Sequence, residues 1–516
     1  MIENVLAMRY ASSEMTELFD RRKRYVLERE LWISILRLQI ENGLKVSPDA
    51  ISAYEKVKQR INIESIDKRE IQLKHDVKAR IEEFNSLANQ DCIHIGLTSR
   101  DITENIDLYL IKAGLMKVRD KSVYVLKHFG DLIEKYKELY FVSRTHNVPA
   151  QLITLGKRFS IYAEELINAI DKLDYEITNL KFRGLKGAVG TATDLLTLFS
   201  ATQIDSIEKE LAENFGFKGN LENVGQIYPR SQDFSFMSSL LQVCNPIDSF
   251  AKTFRLMAGE NLVSEGFESN QVGSSAMPHK RNARTAERVN SLLIVMRGLC
   301  SMAIELSGNQ WNEGDVSCSA ARRVMIPDSF FVVDGVLNSI MYLLKNIQVN
   351  EEVIKSEIEL ELPKIASSRI LMLSVMNGAG REFAHKKIKE LIMPKKWGYS
   401  SFKDIKIGDD EVSMPLDWSI AVGDSSSASD IEILPLTSLN DRGFEAFTFN
   451  PLKSFRAQFY PIEIVDVYQD VKWYFPKLRN GQLLCVPISS GPNPVCAYFV
   501  KDISRASECI DIQKIL

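Results

Sequence analysis

Gly273-Ser274-Ser275-Ala276-Met277-Pro278-His279-Lys280-Arg281-Asn282 interrupts two long helical patterns. It carries two hydroxyls, an imidazole, cations, a Gly and a Pro, a mixture no packed element would choose. Gly273 frees the dihedrals at its start, Pro278 fixes one in the middle, and Asn282 is placed to cap the helix that follows. Upstream, Leu240, Val243, Cys244, Ile247, Ala251, Phe254 and Ala258 share one helical face, with Pro246 predicted to kink or break it. Downstream, Val289, Leu292, Leu293, Met296, Leu299, Cys300 and Ala303 repeat the spacing. Helices this long, without strands between them, predict a bundle.

The chain has 516 residues, too many for one ordinary domain, and predicts two to four. Hydrophobic residues at 45% and charged residues at 26% supply a core and argue against disorder. A net charge of −4 argues against a dedicated nucleic-acid binder, while leaving room for a local cationic pocket. Seven scattered cysteines without CxxC or CxH spacing predict neither a zinc site nor a disulfide framework. The start, Met1-Ile2-Glu3-Asn4, lacks a signal-peptide pattern. No run of about 18 apolar residues predicts a membrane span. A reduced, cytoplasmic, soluble protein is expected.

Residues 1–110 read as short-linked helices, with Leu27, Leu31, Ile35 and Leu38 as an apolar stripe. Three polar clusters interrupt them: Arg9-Tyr10-Ala11-Ser12, Lys74-His75-Asp76-Val77, and His94 through Ser99, continuing to Glu104 and Asn105. Ser99 or Asp101 is placed to cap the helix after the third. Residues 111–362 read as long helices, and residues 363–393 as a helical hairpin turning at Gly378-Ala379-Gly380. Residues 394–516 change character. Short runs rich in Val, Ile, Tyr and Phe (431–434, 462–467, 483–488 and 495–500), set among Gly, Pro and Ser, predict a separate β-rich or α+β module.

The signature stretch resembles that of the fumarase/aspartase superfamily of lyases, and its Met-Pro-His-Lys-Arg-Asn form resembles the adenylosuccinate lyase family. The resemblance covers roughly residues 1–393 and implies a mainly α, long-helix bundle. The implied activity is β-elimination of fumarate from adenylosuccinate to give AMP, and from the succinylated carboxamide ribotide of purine synthesis. No cofactor or metal is implied. The implied partners are a small nucleotide substrate and three further copies, in a homotetramer with shared sites. Two other readings stand beside it: the same chemistry on argininosuccinate or a specialised succinylated substrate, and a non-catalytic scaffold in a retained lyase body.

Breaking a C–N bond beta to a carboxylate needs a base for the Cβ proton, cations for the doubly charged aci-carboxylate, and an acid for the leaving nitrogen. Ser274 is the candidate base, with Lys280 as the charge that stabilises its alkoxide. The resemblance assigns the acid to His146, in Ser143-Arg144-Thr145-His146-Asn147, and pairs it with Glu287. It assigns His75 to substrate orientation near a phosphate, and His94 to the same site. Lys280 and Asn282 match carboxylate-binding positions; Arg9, Tyr10, Ser319 and Arg323 match phosphate-binding ones. Thr98, Ser99, Thr145, Gln226 and Arg288 match further substrate contacts. Three departures from the family stand out: Ala283 where most relatives carry Pro, Gly314 where many carry Arg, and β-like sequence where relatives continue as helices.

Overall fold

A computed structural model describes residues 3–266, 277, 279–392, 404–407, 410–413, 483–484 and 499–500. The chain is mainly α. Six helices open it: α1 (Val5–Arg9), α2 (Ser13–Leu18), α3 (Arg21–Glu41), α4 (Ala50–Val57), α5 (Ile63–Leu73) and α6 (Asp76–Ala88). Next come α7 (Ser99–Lys135), the strands β1 (Tyr140–Thr145) and β2 (Val148–Thr154), α8 (Leu155–Asn179), α9 (Thr193–Leu196), α10 (Ala201–Asn214) and α11 (Ser231–Gly259). Then β3 (Val263–Ser264), α12 (Arg284–Leu306), α13 (Ser319–Asn346), β4 (Gln348–Val349), α14 (Glu351–Ile365), α15 (Ser367–Met376) and α16 (Arg381–Ile392). Beyond these lie β5 (Asp404–Ile407), β6 (Asp410–Ser413), β7 (Leu483–Leu484) and β8 (Phe499–Val500).

The chain divides into two compact units. The first comprises residues 1–127, 164–256 and 265–347. Its short N-terminal helices start where polar side chains take their free N–H groups: Asn4 for α1, Ser12 for α2 and Asp20 for α3. Helix α13 is buried all round from Ser329 through Leu337, the mark of a core helix. Phe330 on it stacks on Phe19 at 5.1 Å and lies 6.3 Å from Phe236. Helix α11 runs through Pro246 without ending, so the predicted break does not occur. Helix α12 begins after Ala283, and the predicted cap by Asn282 is replaced by one from afar. The buried Glu265 carboxylate accepts the Thr285 and Ala286 N–H groups at 3.0 and 2.8 Å.

Both α12 and α13 are long and apolar enough to cross a membrane by length and composition, a property the sequence reading did not register. The apolar window of α13 is 72% buried within the fold, which its place in the core explains. That of α12 is only 39% buried, and Ile294, Val295, Met302 and Ile304 stand exposed on it.

The second unit comprises residues 128–163, 257–264 and 348–516. Residues 140–154, read from sequence as part of a helical run, form the hairpin β1–β2. Tyr140, Phe141 and Val142 favour a strand, and His146 and Asn147 make a two-residue turn with φ of 52° and 62°. Val142 packs against Leu362 and Ile365 of α14, and Arg144 pairs with Glu357. The 363–393 hairpin is present as α15 and α16, closed by Leu371, Ala384 and Ile388. β5 pairs antiparallel with β6, and β7 with β8. These last two fall in the predicted runs 483–488 and 495–500; the runs 431–434 and 462–467 lie outside the described residues.

Candidate active site

Within the first unit, three helices begin at one cleft of about 1040 Å³: α6 at His75 and Asp76, α7 at Thr98 and Ser99, and α13 at Ser319. Helix N-termini present free N–H groups and a partial positive charge, so their convergence favours negative charge in the cleft. The local sequence sets each start. His75 is the N-cap of α6, its Nδ1 accepting the Lys78 N–H at 3.3 Å. Asp101 accepts the Thr98 N–H at 2.7 Å and so closes the first turn of α7. Because its Nδ1 is an acceptor, neutral His75 carries its proton on Nε2, as a donor.

Six predicted site residues line this one cleft: His75, Thr98, Ser99, Gln226, Ser319 and Arg323. Gln226 is held by its N–H donating to the Glu313 carbonyl at 2.7 Å. Its neighbour Gly225 lies so close that a Cβ there would sit 2.1 Å from the same carbonyl oxygen.

Through the lining of the cleft and the core behind it runs a ladder of alternating charges that sequence reasoning missed. Arg323 faces Asp76 at 3.7 Å, Asp76 faces Arg80 at 3.5 Å, and Arg80 faces Glu28 at 2.7 Å. Glu28 faces Arg24 at 3.3 Å, Arg24 faces Asp107 at 2.7 Å, and Asp107 faces Arg322 at 3.0 Å. Arg322 then reaches Asp233 at 2.7 Å and Glu104 at 3.5 Å, and donates to the Tyr228 hydroxyl. Burial pushes the Asp76 carboxyl up, but Arg80, the Val77 N–H and Arg323 outweigh it and hold it below the usual range. Burial also opposes the Arg322 charge, yet Asp233, Tyr228, Asp107 and Glu104 keep it firmly protonated. Removing one partner of such a buried pair leaves a bare charge, at a cost of roughly 3–5 kcal/mol. A signal existed in the sequence. Arg322 shares a helical face with Met325, Ile326 and Ser329, so it breaks apolar spacing on a buried face.

The other predicted residues lie elsewhere. His94 stands near His75 but does not line the cleft. It accepts a hydrogen bond from Trp32 Nε1 at 3.1 Å through Nδ1, and burial, with His75 and Lys78, lowers its pKa to about 4. Arg9 is exposed at the end of α1, and Tyr10 is half-buried against Gly335 of α13. Glu287 and Arg288 are exposed in the first turn of α12. Lys280 is exposed, its N–H donating to the Met277 carbonyl at 3.0 Å; Asn282 is half-buried. Thr145 and His146 lie exposed at the hairpin tip of the second unit. Ser274 lies outside the described residues, as do all of 267–276 and Pro278. Among the described residues, no cluster of His, Cys, Asp and Glu could hold a metal ion.

The class of protein comes from the sequence match: the chain belongs to the family described as Lyase, which it matches over residues 37–298. Its curated relatives are, more particularly, adenylosuccinate lyases. The Saccharomyces cerevisiae adenylosuccinate lyase is 33% identical over 395 residues, covering 75% of this chain and 82% of that one. The Aquifex aeolicus adenylosuccinate lyase is 29% identical over 412 residues, covering 78% and 92%. Among solved structures, the 3-carboxy-cis,cis-muconate lactonizing enzyme from Pseudomonas putida superposes with a TM-score of 0.68 at 19% identity, covering 75% of this chain and 87% of that one. A fumarate lyase from Mesorhizobium gives 0.64 at 17% identity, covering 76% and 88%. These two likenesses concern the fold alone.

Proposed function

We propose that this chain eliminates fumarate from adenylosuccinate to give AMP, and from the succinylated carboxamide ribotide of purine synthesis, as a C–N lyase of purine nucleotide biosynthesis. Ser274, as its alkoxide, takes the Cβ proton. The electrons form an aci-carboxylate held by Lys280 and Asn282, then close the C=C bond of fumarate as the C–N bond breaks. His146, oriented by Glu287, gives its proton to the departing nitrogen. His75, Thr98, Ser99, Gln226, Ser319 and Arg323 hold the nucleotide in the cleft, with His94, Arg9, Tyr10, Thr145 and Arg288 completing the site. No metal or organic cofactor takes part in these steps. The observation that carries this reading is the convergence of six of the named residues, from four separate stretches of sequence, on one cleft at three helix N-termini.

The assembly is a homotetramer with sites shared between copies. Two observations support it: candidate residues sit outside the cleft of their own chain, and α12 exposes an apolar face, with Ile294 70% accessible. The chain serves as an N-terminal helical domain (1–110), a central bundle (111–362), a helical remnant (363–393) and a β-rich module (394–516), in the cytoplasm.

The direct test is the absorbance change on mixing purified protein with adenylosuccinate, with argininosuccinate in parallel. Ser274→Ala and His146→Ala are each expected to lower kcat by about 10²–10⁴-fold. No turnover of adenylosuccinate by the folded wild type would sink the reading.

A further inference from the structure

Six arginines line the cleft, and their pairing separates them into two groups. Arg24, Arg80 and Arg322 each have a carboxylate within 2.7 Å, and Arg21 is clamped by Asp67. These four are matched by fixed counter-charges. Arg323 and Arg100 are not: Arg323 has Asp76 at 3.7 Å, and Arg100 has Glu104 at 3.5 Å. Glu104 is moreover already engaged. Its Oε1 accepts from Arg230 at 2.6 Å and its Oε2 accepts the Tyr228 N–H at 3.1 Å. Among the described residues Arg100 has no other ion-pair partner, and its side chain is only 16% exposed.

A sheltered guanidinium with a distant, shared counter-ion is a cation awaiting an anion. Its place supports this, between Ser99 and Asp101 on the first turn of α7, in the cleft that Thr98, Gln226 and Ser319 also line.

We propose that Arg100 is a second anion-holding residue of the substrate site, working with Arg323 to grip a carboxylate or phosphate group of the substrate. This rests on the lyase reading above. Arg100 was not singled out from sequence because it sits beside two residues that were, in a stretch where an exposed helix-start cation is commonplace.

The test compares wild type, Arg100→Gln and Arg100→Lys in the full chain. KM for adenylosuccinate and the dissociation constants of AMP and of fumarate, by calorimetry, are measured for each. Arg100→Gln is expected to raise KM tenfold or more, with a smaller fall in kcat, and Arg100→Lys to recover part of that loss. Weaker AMP binding assigns the phosphate to Arg100, and weaker fumarate binding assigns a carboxylate. KM and both product affinities within twofold of wild type would overturn the proposal. So would a Gln variant that loses its helical circular dichroism, if Lys restores the fold without restoring affinity. Should wild type bind AMP and fumarate but turn over nothing, the reaction proposed above fails while the binding arm still decides Arg100.

Discussion

His94 is a neutral imidazole by construction. The Trp32 indole donates to its Nδ1, and burial beside His75 and Lys78 lowers its pKa to about 4, against about 6.5 unfolded. Between those values the unfolded chain binds the proton and the folded chain does not. Stability is therefore unaffected by this group above pH 6.5 and falls as pH drops toward 4. His94→Gln, which can still accept from Trp32, is expected to flatten the fall in Tm between pH 6.5 and 4.5 relative to wild type. Parallel curves for the two proteins would dismiss the assignment. At this scale the family resemblance was informative: it singled out His75, Ser319 and Arg323, and these do meet in one cleft. It was silent on pairing, because Asp76 meets Arg323 and Glu104 meets Arg322 across more than 200 residues.

Among the elements, apolar stripes at helical spacing announced α3, α11 and α12 well, since burial of one face demands that period. Helix starts were legible only when the cap is local. Asp101 at α7 was one of the two candidates, with Ser99, but α12 is capped by Glu265, twenty residues upstream and invisible to a pattern of neighbours. Replacing that carboxylate removes two acceptors and a favourable charge at a helix N-terminus. Glu265→Ala is expected to cost about 1–2 kcal/mol in urea unfolding. An unchanged midpoint would mean the Thr285 and Ala286 N–H groups find other acceptors. The β1–β2 hairpin was missed because two strands of six and seven residues between long helices leave little period to read.

For the whole molecule, the apolar face of α12 bears on the proposed assembly. With Ile294 at 70% and Ile304 at 51% exposure, a lone chain would leave large apolar side chains in water. Ile294→Glu is expected to shift the mass by light scattering from four chains of 58.6 kDa toward smaller species, with little change in helix content. A wild type that already elutes at the mass of one chain would remove the tetramer. The sequence after residue 393 was legible only as a change of texture. Its short runs bounded by Gly and Pro indicate strands, and β7 and β8 fall in two of them, but strand pairing over long separations carries no local signature.

The turn at the tip of β1–β2 carries one more implication. Left-handed backbone at two successive positions favours Asn and Gly, and an ordinary side chain there costs about 1 kcal/mol. Asn147 suits its place, whereas His146, at φ 52°, is tolerated there less well than Gly would be. Local folding physics and the proposed acid chemistry therefore pull position 146 in opposite directions. Directed evolution of this chain for heat tolerance alone would drift toward His146→Gly, a sturdier hairpin bought by giving up the proposed acid.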